Sequence, residues 1–237
     1  MQVADQIKDW VVEQGLRMGD RLPGEAEMIA RFGMSKGTIR EAMRILEAQG
    51  LVKTRTGPGG GSFVHEVSGE RARALLGNYF YFRDLTLKDI YQLRRLLEPE
   101  LAASLAGRLD AAQLAALDQV IATYAMPSRS PEEEREQQVQ SLRFHQHLAE
   151  YAENELLGFI IGFMAQILSD LTVYRRLYEP VNHELWARGR AYHVELVAAL
   201  RAGDGPRARQ VMGDHMATAE ALMEGQEELM LKRFLSA

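Results

Sequence analysis

The sequence contains no cysteine. That excludes a disulfide framework and any thiolate metal site, and it fits a reducing compartment. Long apolar runs are scarce as well. The longest candidate, residues 156–168, falls short of the ~20 residues a membrane span needs and is broken by Gly158 and Gly162. The opening Met1-Gln2-Val3-Ala4-Asp5 turns polar and acidic at once, unlike a signal peptide. A cytoplasmic protein without membrane contact is therefore expected. There is no HExxH metal motif. The glycine tract Gly59-Gly60-Gly61 lacks the lysine and Ser/Thr of a phosphate-binding loop, and no helix follows it directly. Positive charge is in deficit, with a net charge of −5, so the chain as a whole does not look like a nucleic-acid binder.

What is present is an ordinary globular composition, 46% hydrophobic and 26% charged, which places the chain with packed domains rather than disordered segments. Its 237 residues allow one large domain or two smaller ones. The charge is unevenly distributed. Arg31, Lys36, Arg40, Arg44, Lys53 and Arg55 face only Glu41 and Glu47 across residues 31–55. Such a local basic stripe is either a solvated helix face or the electrostatic footprint of a nucleic-acid surface.

The patterning around that stripe decides what carries it. Val3, Ile7, Trp10 and Val11 fall at helical spacing over residues 1–15, with Gly15 as the stop. A turn at 17–23 precedes a short helix that ends at Phe32-Gly33. Ser35 is a natural N-cap for a third helix, Lys36 to Gln49, closed by Gly50. Two short helices about a tight glycine-containing turn form a helix-turn-helix pattern. Leu51–Arg55, a glycine-rich turn over 56–62, and Phe63-Val64-His65 read as a β-hairpin wing.

These residues resemble the GntR family of bacterial regulators. The likeness is carried by Gly19-Asp20-Arg21-Leu22-Pro23-Gly24-Glu25, by Met34-Ser35-Lys36-Gly37-Thr38-Ile39-Arg40-Glu41-Ala42, and by Leu46-Glu47-Ala48-Gln49-Gly50-Leu51-Val52, across roughly residues 2–66. A recognition helix needs polar and basic residues at its N-terminal end and an apolar stripe behind them. Ser35, Lys36, Thr38 and Arg40 supply the first, and Ile39, Met43 and Leu46 the second. Lys36 and Arg40 can meet phosphates or guanine edges, where a good bidentate contact is worth about 1–3 kcal/mol. Arg44 is a further candidate contact beside its reading as a solvated charge, and Glu41 reads as a partner for a basic side chain. The resemblance places Gly57 where the wing approaches the minor groove. One departure is Ala26, where the fatty-acid-responsive relatives have an arginine, so one DNA contact of those relatives is missing.

From residue 70 onward the pattern is helical, with breaks at Gly107, 127–131, Glu153-Asn154, Glu179-Pro180 and 203–205, and a kink or restart expected near Glu98 because of Pro99. This part resembles the FCD sensor domain of the FadR-type branch. The likeness rests on residues 89–99, on Phe144-His145-Gln146-His147-Leu148 with Asn154, and on His193, Gly203-Asp204 and His215. It implies a bundle of six or seven helices around a cavity that holds a divalent metal such as Zn²⁺ or Ni²⁺ in many relatives. Carried over residue by residue, the ligands are His145, His193 and His215. His193 and His215 stand equally far from the 203–205 turn, so their helices can bring them to similar height. The expected aspartate ligand is replaced by Ser141, a poor metal ligand. His147 and His183 match no ligand position. Arg94 matches an arginine that faces an anionic effector, because a guanidinium fits a carboxylate bidentately. It also lies one turn from Glu98, as an ion pair would. Asn154 matches an effector position and also reads as a helix cap.

The expectation is a mainly α protein. A winged helix-turn-helix of three helices and a small β-hairpin wing spans 1–66, a linker 67–71, and an all-helical effector-binding and dimerisation domain 72–237. The implied function is a homodimeric repressor on a short palindromic operator in double-stranded DNA, released by a small carboxylate. Two rivals are a metal-dependent hydrolase built on the three histidines and an architectural DNA binder with a dead sensor. The hydrolase lacks an evident general base and gives the basic helix no purpose.

Overall fold

The computed structural model describes residues 3–81, 83 and 85–235. Positions 1 and 2 of the first expected helix lie outside the described residues. The chain divides into two compact units, Met1–Leu76 and Gly77–Ala237.

The first unit is built from α1 (Val3–Glu13), α2 (Glu25–Phe32), α3 (Lys36–Ala48), β1 (Val52–Arg55) and β2 (Gly61–Val64), and takes in the start of α4 (Gly69–Tyr81). Gly33 closes α2 at φ 65°, a left-handed turn that a side chain resists, and so frees the chain to start α3 at once. Ser35 Oγ then accepts the Thr38 N–H and caps α3. The core gathers Ile7 from α1, Leu22, Met28 from α2, Ile39, Ala42 and Leu46 from α3, and Val52 from β1. Ala42 rather than Met43 completes the buried stripe of α3, and Met43 packs at its edge. β1 and β2 pair antiparallel with Val52 opposite Val64 and Arg55 opposite Gly61, so the return strand starts two residues earlier than composition suggests. Arg21 ties the hairpin down: its backbone bridges to Phe63 and its Nη2 donates to the Gly60 carbonyl at 2.6 Å. The stretch 67–71, expected as a linker, packs on the end of α3. Arg71 Nη2 donates to the Ala48 carbonyl, and the chain runs straight into α4.

The second unit is all helix: the end of α4, α5 (Leu87–Leu105), α6 (Ala111–Ala122), α7 (Pro131–Glu150), α8 (Glu155–Tyr174), α9 (His183–Ala202) and α10 (Gly205–Leu235). Short polar residues start the helices. Thr86 and Asp89 form a capping box on α5, Asp110 and Gln113 another on α6, and Ser130 caps α7. Phe144, Leu148, Ile161, Met164, Leu196, Leu200 and Met216 meet in the centre.

Two expectations are corrected here. Pro99 does not restart the helix: α5 runs unbroken from 87 to 105. Pro99 is buried, and α5 makes its most extensive packing with α10, which offsets the lost backbone hydrogen bond. The apolar segment around 156–168 is also longer than it reads. α8 has 20 residues and is long and apolar enough, by length and composition, to cross a membrane. Its hydrophobicity has a local use, because Ile161, Phe163, Met164 and Leu168 are buried in the bundle.

Candidate DNA-reading surface and metal–effector site

α3 turns two faces in opposite directions. Ile39, Ala42 and Leu46 enter the core, and Ser35, Lys36, Thr38, Arg40 and Arg44 are exposed. Ser35 and Thr38 join through their hydroxyls at 2.9 Å, which fixes both at the helix start. Glu25, at the start of α2, holds both nearby cations: its carboxylate lies 3.1 Å from Lys36 Nζ and 2.5 Å from Arg40 Nε. The hydrogen bonds from Arg40, then Lys36, keep the Glu25 carboxyl below the usual range. Sequence reading used Glu25 only as a mark of resemblance. Nothing in a linear pattern says that the start of α2 faces the first turn of α3. Arg44 keeps a loose contact of 3.7 Å with Glu41, in an exposed setting. Gly57 lies at the wing tip with φ 92°.

In the second unit α7, α9 and α10 each contribute one histidine to a single point. His193 Nε2 lies 2.9 Å from His215 Nε2 and 3.2 Å from His145 Nε2, and His215 Nε2 lies 3.3 Å from His145 Nε2. All three rings are buried, and Phe144 stacks on His193 with centroids 4.0 Å apart. Three imidazoles converging through the same nitrogen suit one ion. Tetrahedral Zn²⁺ with nitrogens at ~2.0–2.1 Å separates them by roughly 3.3 Å. The residues therefore fit the group.

Behind the histidines sits a layer that sets their protonation. Glu98 Oε2 accepts from His145 Nδ1 at 2.6 Å, and Glu98 Oε1 accepts from Arg94 Nε at 2.5 Å. Burial works to raise the Glu98 carboxyl, but the Arg94 charge, and then His145, outweigh it and hold it at about 2. An ionised carboxylate only accepts, so the His145 proton stays on Nδ1 and its Nε2 lone pair points to the cluster. Tyr124 Oη meets His193 Nδ1 at 2.8 Å, and burial raises its hydroxyl pKa. Burial, and then the neighbouring histidines, depress His193 and His215 well below the ordinary value, which keeps them in the neutral form that binds metal. The charge balance of this layer needs Glu98, whose bond to His145 spans 47 positions and leaves no trace in local spacing.

A cavity of about 60 Å³, partly open to solvent, reaches His145 and His215. Arg94 lines it and so does Ser141, one helical turn before His145 on α7. Arg94 thus combines both readings: its Nε is paired with Glu98, and its Nη2 is buried without a partner. Asn154 is corrected. It is not among the cavity's lining residues. It is exposed, and its Oδ1 is committed to the Leu157 N–H as the N-cap of α8. Tyr124, Gln137, Gln138, Thr172 and Arg190 line the cavity and were not singled out from sequence.

Comparison with known proteins matches this division. The family model described as bacterial regulatory proteins, gntR family, matches residues 1–64, and the FCD domain model matches residues 89–218. The chain is 25% identical to the HTH-type transcriptional regulator LutR of Bacillus subtilis over 89% of its length and 94% of that protein's. It is 26% identical to the Exu regulon transcriptional regulator of Escherichia coli over 94% of its length and 83% of that protein's. A solved structure, Streptococcus agalactiae GntR, superposes with a TM-score of 0.65 at 23% identity, covering 93% of this chain and 98% of that one, which supports the fold. A winged helix-turn-helix joined to a helical sensor unit defines a DNA-binding transcription regulator, not an enzyme. The chain belongs to the gntR family of bacterial regulatory proteins, and its C-terminal unit is an FCD domain.

Proposed function

We propose that this regulator is a homodimeric cytoplasmic repressor that binds a short palindromic operator and releases it when a small organic acid enters the helical cavity. Lys36, Thr38 and Arg40, with Ser35 and Arg44 at the margins and Gly57 in the wing, would contact DNA. Two-fold protein symmetry then matches a two-fold operator. His145, His193 and His215 would hold one Zn²⁺ or Ni²⁺. Such an ion supplies a Lewis-acidic anchor for the acid's carboxylate, and Arg94 adds a charge-assisted partner through Nη2. Ser141 brings no charge to the cluster, which leaves the anionic role to the effector. For the acid to act, it must bind the DNA-competent and incompetent arrangements with different affinity. The covalent route between the two units is α4, which spans the boundary after Leu76.

The observation that carries this reading is the convergence of three buried imidazole nitrogens beside a cavity lined by His145, His215 and Arg94. The first test is elemental analysis of untagged protein beside a His193→Ala variant. About one metal ion per chain, lost in the variant, is the expected result. Protein that stays metal-free after incubation with excess zinc would remove the metal from the reading.

A further inference from the structure

The C-terminal end of α3 is completed by a side chain from α4. The last four carbonyls of an α-helix have no partner inside the helix and must find one elsewhere. In α3 they belong to Ile45, Leu46, Glu47 and Ala48. The chain that follows serves three of them: the Gln49 N–H donates to Ile45, the Gly50 N–H to Glu47 and the Leu51 N–H to Leu46, each at 2.9 Å. The fourth, the Ala48 carbonyl, accepts from Arg71 Nη2. A guanidinium at this end also sets a positive charge against the negative pole of the helix dipole.

The start of α4 is shaped to deliver that side chain. Ser68 Oγ accepts the Arg71 N–H at 3.2 Å, and the Ser68 carbonyl accepts the Ala72 N–H at 3.0 Å. The approach to α3 is close. Gly50 is buried with φ 82°, and a Cβ there would lie 3.2 Å from Val67 Cγ2 and 3.4 Å from Arg71 Nη1. The wing is tied to the same end of α3. Glu47 Oε1 accepts the Thr54 N–H of β1 at 2.9 Å, and the Leu51 carbonyl accepts the His65 N–H at 2.9 Å. Recognition helix, wing and α4 therefore meet at one node, and Arg71 is the side chain through which α4 enters it.

The residues that face DNA stand at the far end of the helix. From Ala48 to Lys36 is about 18 Å along the axis. A tilt of about 5° at the C-terminal end moves Lys36 by roughly 1.5 Å, enough to spoil a hydrogen bond. We propose that Arg71 is a positioning residue for DNA reading: it holds the C-terminal end of the recognition helix to the start of α4, without touching DNA itself. α4 also crosses the boundary between the two units, so a movement of α4 reaches the recognition helix through this bond.

The test is fluorescence anisotropy of the full-length protein on an operator selected from randomised DNA, across a salt series. Stoichiometric titration fixes the active fraction of each sample. Arg71→Met keeps the apolar stem and removes the donors. Its operator affinity is expected to be about tenfold weaker, the worth of one displaced base contact. The slope of log affinity against log salt should stay unchanged, as should binding to unrelated DNA. Arg71→Lys keeps a charge and a donor and should recover part of the loss. Arg71→Gln, too short to reach Ala48, serves if Arg71→Met does not fold. Wild-type affinity in Arg71→Met overturns the proposal. So does a slope lower by about 0.9, which would make Arg71 a phosphate contact. A smaller active fraction at unchanged affinity would reduce Arg71 to a stabilising cap and overturn the positioning role. An equal loss in Arg71→Lys and Arg71→Met would overturn the assignment to the Ala48 bond.

Discussion

Glu98 joins the two chemistries of the second unit, because one carboxylate orients a histidine and neutralises an arginine. The pair it forms with Arg94 is buried on both sides, so removing one partner strands the other charge away from water. Glu98→Gln keeps the shape and removes the charge. The expected outcome is a loss of about 3–5 kcal/mol from the second unit, read by urea denaturation. Zinc affinity should fall about 10–100-fold in a chelator competition, because His145 loses the acceptor that fixes its tautomer. Wild-type stability together with wild-type zinc affinity would show that Glu98 plays neither part. Ser141 is the reverse case. It lies on the cavity wall one turn from His145, where the family resemblance implies a charged ligand, and it brings only a hydroxyl.

At the scale of the element, α3 shows how one helix serves core and surface together. Its apolar residues at 39, 42 and 46 lock it against α1 and α2, which aims Lys36, Thr38 and Arg40 outward as a rigid set. Glu25 adds a constraint, since it holds both cations side by side in exposed ion pairs whose own worth is small. These pairs can be exchanged for phosphates at little cost. Lys36→Ala and Arg40→Ala should each weaken binding to an operator selected from randomised DNA. A phosphate contact would lower the slope of log affinity against log salt by about 0.9. A base contact would instead cost about 1–3 kcal/mol at one operator position and leave the slope alone. Fluorescence anisotropy across a salt series separates the two, and wild-type binding by both variants would move the reading face elsewhere.

Over the whole molecule, the described residues hold three hydrophobic clusters drawn from separate stretches of chain: one from residues 4–52 and two from residues 87–223. The histidines belong to the second unit. Scanning calorimetry should therefore show two transitions, and zinc should raise only one of them. At a free zinc concentration 100 times its dissociation constant, the stabilisation is about 2.7 kcal/mol. An equal rise of both transitions would mean that the units unfold as one.

Much of this was legible in the sequence because the signals are local. Ser35 before Lys36, Gly33 before Ser35 and the glycines after Arg55 state the helix-turn-helix and its wing through capping and turn chemistry, which acts over a few residues. Residue 42 in place of 43 in the buried stripe is the kind of detail that helical spacing leaves open, since both fall on the same side of the helix. His193 and His215 could be placed together because a turn lies midway between them. Tertiary structure alone decided what depends on distant side chains meeting. Glu25 reaches Arg40 across 15 positions, Glu98 reaches His145 across 47, and Tyr124 reaches His193 across 69. Which polar side chains line the cavity follows from the packing of α5, α7, α8, α9 and α10, whereas the Asn154 cap acts over three residues and was legible locally. No periodicity along one helix records which polar atoms its neighbours leave without a partner.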